Sequence, residues 1–228
     1  MNNKNNRRIF FFTGLGADER AFAYLKITPP FPKVYVSWLT PEENESMAGY
    51  CLRLAKHYHI KNGDVLIGLS FGGMVATEIN RHIEPALTIL ISSAATRQEL
   101  PLPYRMAGKT GIYRLIPEKT LHKPGKLKYF LFGLQKPQQR RLFDEIVMQS
   151  DVTFVRWAIR QVVTWNNTER PQRLVKIHGT SDRILPLHKP STDFIILGGS
   201  HFLTWEKADE VSDILNSLLE KSPGQLLQ

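Results

Sequence analysis

Val65-Leu66-Ile67-Gly68-Leu69-Ser70-Phe71-Gly72-Gly73 is the stretch that decides how this chain folds. An apolar run stops at a glycine, a serine follows almost at once, and residues at helical spacing (Met74, Val75, Ile79) begin beyond the glycine pair. A serine between a buried strand and a helix sits at the apex of a tight, strained turn. Its neighbours must be nearly free of side chain so that strand and helix can approach. Gly68 and Gly72 give that clearance, and Gly73 adds room. The helix beyond Ser70 also brings its N-terminal partial positive charge close to any anion that develops there. The alternative is a glycine-rich strand–helix turn in which Ser70 is only a helix cap.

Outward from this stretch, short apolar runs alternate with helical patterns. Ile9–Thr13 reads as a strand stopping at Gly14-Leu15-Gly16, and Asp18 or Ala17 opens a helical stretch through Leu25. Val34–Trp38, Leu87–Ile91, Leu174–Ile177 and Phe194–Leu197 are further strands. Helices are expected from about Glu45 to Tyr58, from Gly72 to His82 with Pro85 beyond, and from Thr204 to Leu219. Strands that are continuous apolar runs between helices predict an α/β fold, with a mostly parallel sheet of about six strands and helices on both faces. The alternation breaks from about 97 to 170, where Pro101, Pro103, Pro117, Pro124 and Pro137 separate helical fragments. This is a mainly helical insertion between the fourth and fifth strands of a single domain spanning 1–228.

A serine hydroxyl is a weak nucleophile that requires a base, and the base requires an orienting acid. In a parallel sheet these groups belong on loops at the carboxyl ends of later strands. Asp182 follows the strand Leu174–Ile177, and His201 follows Phe194–Leu197 through Gly198-Gly199-Ser200. The chain order Ser70, Asp182, His201 is the one expected of such a triad. Other histidines fit less well. His57, His59 and His82 lie at helix ends, His122 lies in the insertion, His188 follows Pro186, and His178 precedes a glycine at a strand end and reads as structural. Asp193 begins a strand instead of ending one.

An oxyanion needs backbone N–H donors. The residue after the serine, Phe71, should supply one, and Leu15 in the turn Thr13–Gly16 the other. No phosphate-cradling glycine fingerprint is present, and the chemistry requires neither a metal nor an organic cofactor.

The 228 residues carry a net charge of +9. The segment 97–141 holds eleven basic residues against Glu99 and Glu118, so it accounts for the whole excess, and the remainder is close to neutral. That argues against a general nucleic-acid binder. No run approaches the ~20 apolar residues of a membrane span. Arg7 and Arg8 precede Ile9–Phe12 as in a signal peptide, but that apolar run is too short, so a cytoplasmic protein is expected. Cys51, the single cysteine, reads as a small core residue, and disorder is expected at 1–8 and 222–228.

The chain resembles the α/β-hydrolase superfamily from Ile9 to Leu219. Phe12-Thr13-Gly14-Leu15-Gly16-Ala17-Asp18 resembles its oxyanion loop, Gly68–Gly73 its nucleophile elbow, and Ile177–Asp182 and Gly198–Phe202 its acid and histidine loops. Thr13 stands where many members have a histidine, and the usual leading antiparallel hairpin is not expected. The resemblance implies that the insertion at about 97–170 is a lid and that the activity is hydrolysis of a carboxylic ester or thioester. Acyl transfer, carbon–carbon hydrolysis with the same triad, and ligand binding without turnover are the alternatives. The insertion's aromatic residues suggest a pocket for a small-molecule acyl substrate. Its basic residues suggest an anionic or carrier-bound one, or else only a solvated face.

Overall fold

Six apolar runs pair as one parallel sheet: β1 (Ile9–Phe12), β2 (Lys33–Val36), β3 (Val65–Leu69), β4 (Leu87–Ile91), β5 (Leu174–Gly179) and β6 (Phe194–Ile196). The computed structural model describes residues 7–121 and 123–220. Strand order is β2-β1-β3-β4-β5-β6. The chain therefore builds to one side of β1 with β2 and to the other with β3. Loops leaving β1 and β3 turn in opposite directions, which opens a crevice at their carboxyl ends. Register sets Phe12 opposite Gly68 and Gly68 opposite Leu90, so the loops that follow start at the same level.

Alternation along the strands separates two cores. Ile9, Phe11, Val65, Ile67 and Ile89 face one; Phe10, Phe12 and Leu66 face the other. The second is covered by α1 (Met47–His57), α2 (Phe71–Asn80) and part of the insertion. Cys51 is buried there within α1. The first is closed by α8 (Leu203–Glu206) and α9 (Ala208–Glu220), together with another part of the insertion.

Between β4 and β5 lie α3 (Leu102–Thr110), α4 (Glu118–Leu121), α5 (Lys126–Phe132), α6 (Pro137–Gln149) and α7 (Val152–Thr164). The stems of this insert are bonded to each other: Arg97 N–H donates to Asn167 O at 2.7 Å and the Asn167 amide to Ala95 O at 2.8 Å. Glu99 at its start forms a buried ion pair with Lys176 of β5. Burial opposes the charge on Glu99, but the Lys176 ammonium outweighs it and holds the carboxyl below its usual range.

Several elements differ from the sequence expectations. The stretch after Asp18 is one turn of 3₁₀ helix, Glu19–Phe22, because Asp18 caps it by accepting from Arg20 N–H. The closing helix is two helices, broken at Lys207 (φ −123°, ψ 36°). Within the N-terminal segment expected to be disordered, Arg8 is fixed by Asp64 at 2.7 Å and Arg7 lies over the Phe31 ring. Residues 1–6 and the tail 222–228 lie outside the described residues, as does His122. No described helix is long and apolar enough to cross a membrane.

Candidate active site

Ser70 occupies the turn between β3 and α2 with φ 53° and ψ −120°, a conformation that L-residues adopt only when their surroundings impose it. Here the surroundings are bonded on both sides. Ser70 N–H donates to Ile91 O at 2.9 Å, and Ser93 Oγ donates to Ser70 O at 2.6 Å. A Cβ on Gly68 would lie 2.4 Å from Gly72 O, and one on Gly72 would lie 2.2 Å from Phe12 O. No side chain fits at either position. Although Ser70 stands at the cap position of α2, its side chain caps nothing. The hydroxyl is directed elsewhere.

It meets His201, whose Nε2 lies 2.8 Å from Ser70 Oγ. The other ring nitrogen, Nδ1, lies 2.8 Å from Asp182 Oδ2. Three loops from three strand ends thus converge. Asp182 and His201 are buried, whereas Ser70 is partly open to solvent. Burial disfavours the charged carboxylate of Asp182, yet His201 and His178 more than compensate, and its pKa falls far below the ordinary carboxylate range. The acid is therefore an anion throughout the neutral range. Ser200 N–H donates to Glu206 and Ser200 Oγ to Phe132 O, so the histidine loop is tied to both α8 and α5.

The turn after β1 comes close to the serine: a Cβ on Gly14 would meet Ser70 Cβ at 3.8 Å. Thr13 is fully buried, and its hydroxyl donates to Ala17 O at 2.7 Å, closing the loop over Gly14–Gly16. Trp38 Nε1–H donates to Gly14 O at 3.3 Å and holds the loop from the far side. Among the described residues, the backbone N–H groups of Leu15 and Phe71 donate to no protein acceptor. The loop after β1 thus lies against Ser70 at Gly14.

Residues outside the three loops also take part. His178 Nε2 lies 3.1 Å from Asp182 Oδ2, a contact for which its place at a strand end gave no signal. Phe132 of α5 stands edge-on to His201 with centroids 5.4 Å apart. Burial pushes the Tyr104 phenol up, and the nearby Asp182 charge adds to the shift. Among the described residues the remaining histidines lie elsewhere: His57, His59 and His82 are exposed, and His188 Nδ1 faces Ser191 Oγ at 2.9 Å. Asp193 accepts from Lys176 N–H and pairs with Arg170.

Four of the insert's aromatic residues are used as anchors. Phe143, Phe154, Trp157 and Trp165 are buried and fasten the insert to the two cores. A cleft of about 640 Å³ between α7 and the segment 113–121 contains no triad residue in its lining. Among the insert's basic residues, Lys128 donates to Thr120 O and Leu121 O, at 3.1 and 3.0 Å. Among the described residues no three His, Cys, Asp or Glu side chains converge as metal ligands.

No protein-family model matches the chain, and no curated protein matches it in sequence. Solved structures do. MenH from S. aureus superposes with a TM-score of 0.72 at 17% identity, covering 98% of this chain and 96% of that one. A structure from carboxylesterases of the thaumarchaeon Nitrososphaera gargenis gives 0.71 at 17% identity, covering 96% and 92%. The meta-cleavage product hydrolase of Pseudomonas fluorescens IP01 gives 0.66 at 16% identity, covering 93% and 90%. The chain has the α/β-hydrolase fold.

Proposed function

We propose that this protein is a serine hydrolase that cleaves a carboxylic ester or thioester through an acyl-enzyme on Ser70. The observation that carries the reading is the unbroken chain Ser70 Oγ–His201 Nε2 and His201 Nδ1–Asp182 Oδ2, each 2.8 Å, on a serine held at positive φ. Ser70 Oγ attacks the acyl carbon while His201 Nε2 takes its proton. The Leu15 and Phe71 N–H groups bind the oxyanion of the tetrahedral intermediate. Collapse breaks the bond to the leaving alcohol or thiol, which leaves with the proton from His201. Water then attacks the acyl-serine with His201 as base again, releasing the acid and restoring Ser70. Asp182 stays ionised, keeps the imidazole in the Nδ1–H tautomer and balances the imidazolium.

The insert 97–170 acts as the lid over this site and selects the acyl group. Its charge suits a substrate carrying a carboxylate or phosphate, or an acyl group on an anionic carrier. Because Lys128 is bonded to carbonyls, the charge is tested at Lys123 and Lys126. Changing both to Gln raises KM for anionic esters several-fold and leaves neutral esters unchanged, and equal effects on both would remove the charge from the proposal.

Intact-mass analysis after fluorophosphonate treatment tests the core of the reading. Wild type should gain one stoichiometric adduct and Ser70→Ala none; folded wild type without an adduct would overturn the assignment.

A further inference from the structure

We propose that His178 is a positioning residue for Asp182, and that reaction at Ser70 depends on its Nε2–H. This rests on the triad reading above and extends it to a fourth side chain. His178 lies near the end of β5, opposite Ile195 of β6, with its side chain only 1% exposed. Its Nε2 is 2.7 Å from Leu185 O and 3.1 Å from Asp182 Oδ2. Both neighbours are acceptors only, so Nε2 carries the hydrogen, which is bonded to Leu185 O while the nitrogen stands 3.1 Å from Asp182 Oδ2. Its Nδ1 is buried with no partner among the described residues, and a proton there would have no acceptor. The Nε2–H tautomer is the one these contacts fit.

The bonding around Asp182 explains what this donor does. Oδ1 accepts from Ile184 N–H at 2.9 Å and Leu185 N–H at 2.8 Å, which fixes one oxygen to its own loop. Oδ2 is left between two imidazoles, His201 Nδ1 at 2.8 Å and His178 Nε2 at 3.1 Å. The His178 hydrogen is bonded to Leu185 O and its nitrogen lies against Oδ2, so one ring packs on the carboxylate and holds the far end of the 182–185 turn. Without it Oδ2 keeps a single side-chain partner, Leu185 O loses its donor, and the turn can shift relative to His201. Burial makes each lost bond costly. His178 touches no position a substrate atom would occupy; it acts through Asp182.

The test compares His178→Gln, His178→Asn and His178→Met. Glutamine returns an N–H near the position of Nε2, asparagine places its amide near Nδ1, and methionine fills volume without a donor. Each is assayed for kcat and KM on a neutral acyl ester, for its rate of fluorophosphonate labelling, and for thermal unfolding. We expect Asn and Met to lose about 10- to 100-fold in kcat and labelling rate with KM within about twofold, and Gln to recover most of the loss. Combined with Asp182→Asn, the Met change should cost less than twofold further, because both act on one hydrogen bond. Wild-type rates in Asn and Met, equal losses in all three, or full additivity with Asp182→Asn would each overturn the proposal. If the methionine variant does not fold, the Gln–Asn contrast decides. Labelled wild type with unchanged variants removes only His178, whereas unlabelled wild type removes the Ser70 reading itself.

Discussion

The loops after β3, β5 and β6 touch the first half of the insert where Phe132 meets His201, 5.4 Å between centroids, yet the two regions are built in different ways. Asp182, His201, His178 and the residues flanking Ser70 are buried and bonded to backbone at several points. In the insert, α3, the turn 112–115, α4 and α5 contain no buried residue, and Leu102, Met106, Ile112, Leu115, Leu127 and Phe130 are exposed. The second half, α6 and α7, provides the anchorage through Phe143, Ile146, Phe154 and Trp157. The contrast separates two demands. A triad tolerates displacements of only a fraction of an ångström, so its residues are over-determined by the core. The surface proposed to select substrate must be able to change without unfolding the protein, and it lies outside the core.

The sharpest way to break this comparison is to disturb the buried side. Asp182→Asn should lower kcat by about 10⁴-fold, because the amide favours the wrong imidazole tautomer; steady-state kinetics with matched thermal melts checks this. The same residue predicts an acid dependence. Its pKa is depressed on folding, so its contribution to stability is complete above the ordinary carboxylate value of about 3.9 and is lost as pH falls through the lower folded value. Acid unfolding followed by far-UV CD should show that component in wild type and not in Asp182→Asn.

Lys176→Met should come next, at about 3–5 kcal/mol of stability by denaturant titration, since it leaves Glu99 as an unpaired buried charge. Gly72→Ala should cost about 1–3 kcal/mol or more, because its Cβ would lie 2.2 Å from Phe12 O. Gly125 in the insert has nothing within 4 Å of such a Cβ, and Gly125→Ala should stay within about 0.5 kcal/mol. The smallest effects belong to the exposed apolar residues. Leu115→Ser and Leu127→Ser should leave stability within about 0.5 kcal/mol while changing KM across a panel of acyl esters. A large stability loss in either would show that the first half of the insert is part of the core after all.

Much of the fold can be read along the chain because the signals are local. Leu87–Ile91 is a strand with the expected bounds, since a strand buried on both faces is a continuous run that ends abruptly. Asp182 and His201 are legible for a related reason: each follows a strand directly, so the sheet fixes where its loop begins. The break in the closing helix is not legible, because nothing in the residues around Lys207 marks it.

The sequence by itself determined the parallel sheet, the steric need for glycine at 68 and 72, and which serine, acid and histidine stand at strand ends. Those follow from hydrophobic periodicity and chain order, which are properties of short stretches. Only the tertiary structure decided that His178 reaches Asp182, that Lys128 is held by carbonyls, and that Phe154 and Trp157 anchor the insert to the core. Each of those depends on which side chain from a distant element fills a given space, and pairings of that kind leave no trace in local pattern.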